Sequence, residues 1–167
     1  MGSRCGTLLG RETPGKPDPE VFCRRTESTA KSPQENYSIE APNFAEPAGE
    51  LLLFRPGFLT GPFPSGALEE SRNHPYQFSH VRSYRTSFTF QLPFGYKVAG
   101  LPAPEEMDLP FARYRSDITV EGDTLRYISI YEVKKLEVSA NEVTSLRDFY
   151  NFVNRVARAV VVLERAN

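Results

Sequence analysis

The chain has 167 residues, a net charge of −1 and a hydrophobic fraction of 40%, which fit one globular domain with room for a tail. The near-neutral charge argues against a nucleic-acid or membrane-surface binder, because phosphate groups are bound by an excess of cations. No apolar run reaches the roughly 18 residues that a membrane span needs, and two cysteines are too few for a disulfide scaffold.

Proline divides the chain into two parts, because all 14 prolines lie at or before Pro110. Proline breaks helices and strand ladders, so we expect the most regular structure in the last third. Residues 1–36 contain four of the prolines and only short apolar pairs, which cannot offset the entropy of ordering. We therefore expect a disordered or unrelated segment at 1–36, without a signal peptide, and a β-rich domain at 37–167.

Strand patterns begin with Leu51–Phe54, a short apolar run that predicts a buried strand. A short strand is also expected within His74–His80. The next pattern has a two-residue period that places five residues on one face of a longer strand: Tyr84, Thr86, Phe88, Phe90 and Leu92. Pro93-Phe94-Gly95 predicts a turn after it.

The proline-free third predicts a hairpin, a helix and a last strand. Residues 112–120 and 125–133 both alternate, and Gly122 suits the turn between them. The second strand has apolar residues on both faces, so it should be central in its sheet. Ser139 to Glu142 fits a capping box, apolar residues then recur at three- and four-residue steps, and 159–163 should form a strand. The fold class predicted is mainly β, an antiparallel β-sandwich-like domain with one C-terminal amphipathic helix and a final strand.

Candidate catalytic and metal-binding residues are few. Cys23 with His74 or His80 is the only thiol–imidazole combination that merits mention, and no local motif surrounds Cys23. Cys5, Cys23, His74 and His80 lack the spacing of a zinc site. We interpret them as bystander residues and predict no catalytic residue, no cofactor and no metal site.

Two further sets of residues have a functional and a structural interpretation. Asp117, Glu121 and Asp123 flank a turn but lack the calcium-loop pattern, which favours a solvated turn. Asn36-Tyr37-Ser38 matches a glycosylation acceptor, a motif that often occurs by chance. The aromatic residues could form a core or a stacking platform for a sugar or peptide, and the core is the simpler interpretation; they are Tyr76, Tyr84, Phe88, Phe90, Tyr96, Phe111, Tyr114, Tyr127 and Tyr131.

Several motifs, in order, resemble one protein family. They are Ala41–Ala45 with Gly49–Pro56, then Leu92–Val98 with Leu101-Pro102, then Tyr114–Ser116, Gly122–Tyr127 and Leu146–Tyr150. Over about residues 37 to 163 the chain is similar to the C-terminal domain of large bacterial transglutaminase-like proteins. Those proteins have an N-terminal β domain of unknown function and a central papain-like transglutaminase core.

This resemblance implies a β-sandwich-like accessory domain of an envelope-associated or periplasmic protein. The catalytic Cys, His and Asp of the family belong to the core, to which no segment of this chain corresponds, so Cys23 does not inherit the nucleophile role. We therefore expect a non-catalytic accessory domain whose partner is a transglutaminase-like core, in a gene fragment, a truncated reading frame or a free-standing relative. The alternative is a cell-envelope glycan- or peptide-binding β-module.

Overall fold

The computed structural model describes Ala41, residues 43–58, Thr60, Phe63 and residues 73–166. The chain divides after Phe44 into two units, and the elements given below all lie in the second unit, Ala45–Asn167. Residues 1–36, for which we predict disorder, lie outside the described residues, as does the expected boundary after Asn36. In the part of the chain that is described, no helix has the length and apolarity to cross a membrane.

The second unit consists mainly of antiparallel strands with one long helix near its end, which confirms the predicted fold class. In chain order the strands are β1 (Glu46–Ala48), β2 (Leu51–Phe54), β3 (Tyr76–Gln77), β4 (Arg82–Gln91), β5 (Tyr96–Gly100), β6 (Glu105–Asp108), β7 (Ala112–Glu121), β8 (Thr124–Val133), β9 (Glu137–Val138) and β10 (Val161–Arg165). A 3-10 turn at Ala140–Glu142 leads into the helix α1 (Val143–Ala157), which lies between β9 and β10.

The described strands form three antiparallel sheets, none of which closes into a barrel. Sheet 1 has the order β1-β2-β10-β5, sheet 2 has the order β4-β8-β7-β6, and β3 pairs with β9. The central place of β8 in sheet 2 agrees with the apolar residues on both of its faces.

The turns depend on glycine where the sequence predicts it. Gly122 has a φ of +61° in the β7–β8 turn, and the ten pairs of that hairpin run from Glu121 opposite Thr124 to Ala112 opposite Val133. Gly95 has a φ of +78° after β4, a backbone conformation that residues with a Cβ rarely adopt. The turn at Gly122 sets the register of β7 against β8, whereas the turn at Gly95 leads the chain from β4 in sheet 2 to β5 in sheet 1.

The 3-10 turn that leads into α1 begins at a capping box, in which Glu142 Oε2 accepts the Ser139 N–H at 3.3 Å. The buried stripe of α1 follows the predicted spacing: Val143, Leu146, Phe149, Tyr150, Val153, Val156 and Ala157. Most of these residues share one hydrophobic core with inward residues of sheet 2, namely Ala112, Tyr114, Tyr131 and Val133. The helix therefore covers the inner face of sheet 2.

Sheet 1 and the end of α1 complete the packing. Phe54 of β2 contacts Phe90 of β4, with ring centroids 5.3 Å apart. Gly57 lies so close to the end of α1 that a Cβ there would be 2.8 Å from the backbone oxygen of Ala157. Because backbone cannot move aside as a flexible side chain does, this position requires glycine.

The structure differs from the sequence prediction mainly at short or edge elements. We did not predict β1, which contains Pro47, or β6, which follows Pro104 in the chain. The strand expected within His74–His80 is limited to Tyr76–Gln77. The last strand begins at Val161 because the Ala159 N–H still bonds to Val156 O at the end of the helix. Tyr84 shares the inward face of β4 but is 52% exposed, since it lies near the start of an edge strand.

Candidate functional site

The structure does not assemble a reactive site around the histidines that the sequence offers. His74 and His80 are both exposed, on either side of β3. Cys5 and Cys23 lie outside the described residues, as does the glycosylation acceptor Asn36. The interpretation of the two cysteines as bystanders therefore stays a prediction.

The three carboxylates of the β7–β8 hairpin are spread along it. Glu121 and Asp123 are exposed at the turn, while Asp117 is half-buried and lies four residues before Glu121 in β7. The backbone oxygen of Asp123 accepts hydrogen bonds from Leu92 N at 2.8 Å and from Gln91 Nε2 at 3.3 Å. Within the described residues, no group of three or more His, Cys, Asp or Glu side chains could hold a metal ion.

Most of the aromatic residues singled out in the sequence are part of the core. Phe111, Tyr114, Tyr127 and Tyr131 are buried, and a further set is half-buried: Tyr76, Phe88, Phe90 and Tyr96. Tyr84 is the exposed member, with the guanidinium carbon of Arg82 5.0 Å from its ring centroid. The geometry therefore favours the core interpretation over a continuous stacking platform.

A first group of buried hydroxyls lies on the inner face of sheet 2. Tyr114 Oη and Tyr127 Oη are 3.1 Å apart, and either of them can donate the hydrogen bond. Burial, followed by the hydrogen bond with Tyr127, raises the pKa of Tyr114 well above its usual range. Hydrogen bonds with Thr60 and Ser129 oppose that increase but do not reverse it. The Tyr114 phenol therefore resists ionisation at alkaline pH more than an exposed tyrosine does.

A second group of hydroxyls joins α1 to sheet 2 and to β3. Tyr150 Oη of α1 lies 3.4 Å from Tyr76 Oη of β3, and Tyr131 of β8 also bonds to Tyr150. Burial is the largest cause of the raised pKa values of Tyr131 and Tyr150. A general acid or base works best with a pKa near the working pH, so these phenols are suited to structure rather than to proton transfer.

Asn154 on α1 holds a loop residue over the second group. Its Oδ1 accepts the Phe63 N–H at 2.8 Å, and its Nδ2 donates to the Phe63 carbonyl at 3.0 Å. The Phe63 ring then stacks on Tyr131 and Tyr150, with centroid distances of 4.9 and 5.3 Å. Asn154 lies outside the apolar stripe that the sequence predicts, and no local pattern indicates its role, because its partner is 91 residues away.

An ion pair with two hydrogen bonds connects β6 to the last turn of α1. Arg155 Nη1 and Nη2 donate to the two carboxylate oxygens of Glu105 at 2.7 and 2.6 Å. The hydrogen bond from Arg155 lowers the pKa of the Glu105 carboxyl, and that carboxylate in turn raises the pKa of Arg155. The Arg155 guanidinium also lies over the Phe152 ring, 5.2 Å from its centroid.

A small cleft lies near this ion pair. Its lining includes Glu105, the hydroxyl residues Ser116 and Tyr127, and the apolar residues Pro56 and Val156. It has room for about one water molecule, whereas sites for small molecules typically enclose about 300–1,000 Å³. The cleft is thus a gap in the packing rather than a substrate site.

The polar groups described so far are used by the fold. Within the described residues, no buried side-chain nitrogen or oxygen atom lacks a hydrogen-bond partner. A nucleophile, a base that activates it and a third group that orients the base do not come together in this part of the chain. The hydrogen bonds and ion pairs of the described residues thus serve the packing of the domain.

Comparisons with known proteins identify a family and a solved structure with a similar fold. The sequence profile of a family described as a domain of unknown function with a solved structure (DUF3858) matches residues 50–163. No protein of curated function matches the chain significantly. The fold is similar to part of a crystal structure of a candidate protease from Parabacteroides distasonis ATCC 8503, with a TM-score of 0.52 and 17% sequence identity. The similarity covers 60% of this chain and 20% of that one, so this chain spans a small part of the longer protein.

Proposed function

This chain belongs to the DUF3858 family, and we propose that it is a non-catalytic accessory domain that packs on, or extends from, a transglutaminase-like core. One observation carries the proposal: the family match covers most of the β-rich unit, and a similar fold occurs as one fifth of a longer chain. An autonomous enzyme would need its own catalytic site, whereas an accessory domain needs only a stable fold and a surface that contacts its partner.

The motifs that resemble the transglutaminase-like proteins have structural roles here, which supports a shared domain. Leu92 is buried at the end of β4, Gly95 has its positive φ in the following turn, and Gly122 has one in the β7–β8 turn. Phe149 of the last motif is fully buried in α1. These residues determine a fold, and the resemblance therefore argues for a common domain and not for a common active site.

The chemistry of the described residues also supports a non-catalytic role. The tyrosines with shifted pKa values are buried and bonded to other hydroxyls, and Glu105 is paired with Arg155. The enzymes of the resembling family use a thiol, an imidazole and a carboxylate, a combination that these residues do not offer. We propose on these grounds that any catalysis belongs to a partner core.

The test is binding of the purified full chain to a transglutaminase-like core expressed from one of the resembling bacterial proteins. We expect a one-to-one complex in sedimentation velocity and a higher melting temperature of the core, because ligands that bind only the native state stabilise it. Phe149→Ala, which removes the centre of the domain core, is the control and should abolish both effects. No complex and no thermal shift at high micromolar concentration would contradict the proposal.

The second candidate is an envelope glycan- or peptide-binding module, and the exposed Tyr84 ring with Arg82 above it is the observation in its favour. Peptidoglycan pull-down and titration with glycan fragments would test it. Tyr84→Ala should then abolish binding, while Phe94→Ala, a fully exposed ring outside β4, should leave it unchanged. No binding signal in titrations with millimolar glycan fragments would contradict this second candidate function.

A further inference from the structure

Phe94 is the one large apolar side chain among the described residues that is fully exposed, with a relative exposure of 104%. The other exposed large apolar residues range from 42% for Leu101 to 57% for Val81, so the domain covers part of each of them. Single apolar residues are common on protein surfaces and need no function. Phe94 differs from them because the fold also fixes the turn that carries it.

The turn that carries Phe94 is closed by hydrogen bonds. The Tyr96 N–H donates to the Pro93 carbonyl at 3.1 Å, across Phe94 and Gly95. The positive φ of Gly95 suits the third position of such a turn. The Gly95 carbonyl in turn accepts the Ala166 N–H at 2.9 Å, which ties the turn to the end of β10. A ring on a closed turn loses little conformational freedom when it binds a partner.

Carboxylates lie on one side of this turn. The Leu92 N–H donates to the Asp123 carbonyl at 2.8 Å, so the turn after β4 adjoins the β7–β8 turn. Asp123 and Glu121 are exposed there, and neither forms an ion pair with a described residue. On the other side of the turn, in sheet 1, Arg165 lies opposite Tyr96. The side of the turn that faces sheet 2 is therefore acidic.

Shape and charge favour a protein as the partner of this ring. Sites for small molecules are concave and bury most of their ligand, whereas Phe94 projects from its turn into solvent. The carboxylates beside the ring would repel anionic lipid head groups. A preformed apolar pocket on another protein suits such a ring, and aromatic anchors supply much of the binding free energy in many interfaces.

We propose that Phe94 anchors this domain to the transglutaminase-like core, with its ring in an apolar pocket of that core and a lysine or arginine of the pocket rim facing Asp123. The inference rests on the proposed accessory role and names the residue that makes the contact. It also gives Phe94 a role that the fold does not, since Leu92 and Gly95 of the same motif shape the turn.

The experiment is surface plasmon resonance of the full chain on an immobilised transglutaminase-like core expressed from one of the resembling bacterial proteins. Phe94→Ala should weaken binding about tenfold or more, because buried aromatic anchors show the largest alanine effects. Phe94→Leu keeps an apolar side chain and should lose less. Since the ring is fully exposed in the domain, both variants should keep the melting temperature of the unmodified chain, which separates a lost contact from lost folding.

Leu101 provides the matched control for apolar surface. It is exposed as well, and it follows β5 at the end opposite to the Phe94 turn. Leu101→Ala therefore removes apolar surface away from the proposed anchor and should leave the affinity unchanged.

Asp123→Asn tests the charge beside the ring. The variant keeps an oxygen for the Thr124 hydroxyl but removes the charge. We expect association about twofold slower or more at low salt, with a smaller dependence on salt. Glu137→Gln removes the same charge from an exposed residue of β9, past the other end of β8, and should change neither quantity.

The outcomes separate this inference from the accessory role. Weaker binding of Phe94→Ala at an unchanged melting temperature, with Leu101→Ala like the unmodified chain, supports the anchor. If the unmodified chain binds the core and Phe94→Ala binds it equally well, the anchor is overturned and the accessory role stands. If the unmodified chain does not bind the core, both are overturned.

Two further results would also overturn parts of the inference. An unchanged association rate and salt dependence in Asp123→Asn would overturn the cationic rim. Binding of the unmodified chain to phosphatidylglycerol vesicles that Phe94→Ala abolishes would assign the ring to a membrane surface and overturn the protein pocket.

Discussion

The two faces of sheet 2 are built from the same strands, yet they differ in how their polar groups are used. On the inner face, hydroxyls such as those of Tyr114 and Tyr127 bond to each other beneath α1. On the outer face, Arg113 pairs with Glu106, but Arg85, Arg115 and Arg126 make no ion pair with a described residue. Ile128 and Ile130 lie half-buried among these polar side chains.

The difference has a physical cause. Burial makes the inner groups costly to leave unpaired, and within the described residues each buried side-chain nitrogen or oxygen has a hydrogen-bond partner. The outer face has no such constraint and presents charged side chains such as Arg85, Arg115 and Arg126 to solvent. This division supports the proposed accessory role, and the following tests examine it.

The largest effect is expected from Phe149, the buried centre of the stripe on α1. Phe149→Ala should lower the free energy of unfolding by about 3–5 kcal/mol, because it removes a ring and leaves a cavity. Asn151→Ala, at an exposed position of the same helix, should cost well under about 1 kcal/mol. Urea denaturation measures the loss of unfolding free energy in both variants. Losses of similar size would mean that the buried face of α1 is assigned wrongly.

The second largest effect should come from alkaline pH, because three buried tyrosines act together. The pKa values of Tyr114, Tyr131 and Tyr150 are raised by burial. Their neutral forms are favoured by the fold, so the stabilisation is complete below the unfolded tyrosine pKa of about 10 and is lost as the pH rises above it. Phenolate absorbance should show a step of tyrosine ionisation that coincides with unfolding, because this group ionises only when the fold opens. Uniform titration of all tyrosines before unfolding would contradict the burial of the group.

Asn154 tests the connection between the loop and the inner face. Asn154→Ala leaves the Phe63 N–H and carbonyl without their partner, and we expect a loss of about 1–3 kcal/mol. Asn154→Asp keeps the acceptor for Phe63 N–H but sets a carboxylate oxygen against the Phe63 carbonyl, so it should also lower the stability. Thermal unfolding measures both, and an alanine variant as stable as the unmodified chain would show that water replaces the amide.

The smallest effect is expected at the solvent-exposed pair of Glu105 and Arg155. Glu105→Gln should cost under about 1 kcal/mol, since exposed ion pairs are screened by water. The lowered pKa of Glu105 means that this stabilisation is present above the unfolded glutamate pKa of about 4.3 and is lost as the pH falls through the folded value. Urea denaturation of the unmodified chain and of Glu105→Gln over this pH range measures the loss, and the same pH dependence in both would contradict the assignment.

Much of the fold is predictable from local patterns, and the reason is visible in particular elements. The two-residue alternation of β4, β7 and β8 and the helical spacing from Val143 to Ala157 are local properties of the sequence. Pairings such as Asn154 with Phe63, or Glu105 with Arg155, join residues 91 and 50 positions apart, and no local pattern indicates them. The short strand β1 was missed for a related reason, since its pairing with β2 outweighs the unfavourable Pro47.

The central claim, that this chain has no catalysis of its own, is tested most directly by activity. The full chain would be incubated with a glutamine peptide and a primary amine and, separately, with peptide substrates, beside a Cys23→Ser variant. The account predicts no amine incorporation and no hydrolysis above the blank, and thiols that alkylate with a pKa near that of free cysteine, about 8.5. Incorporation that depends on Cys23, or a thiolate that titrates near about pH 5–6, would contradict it.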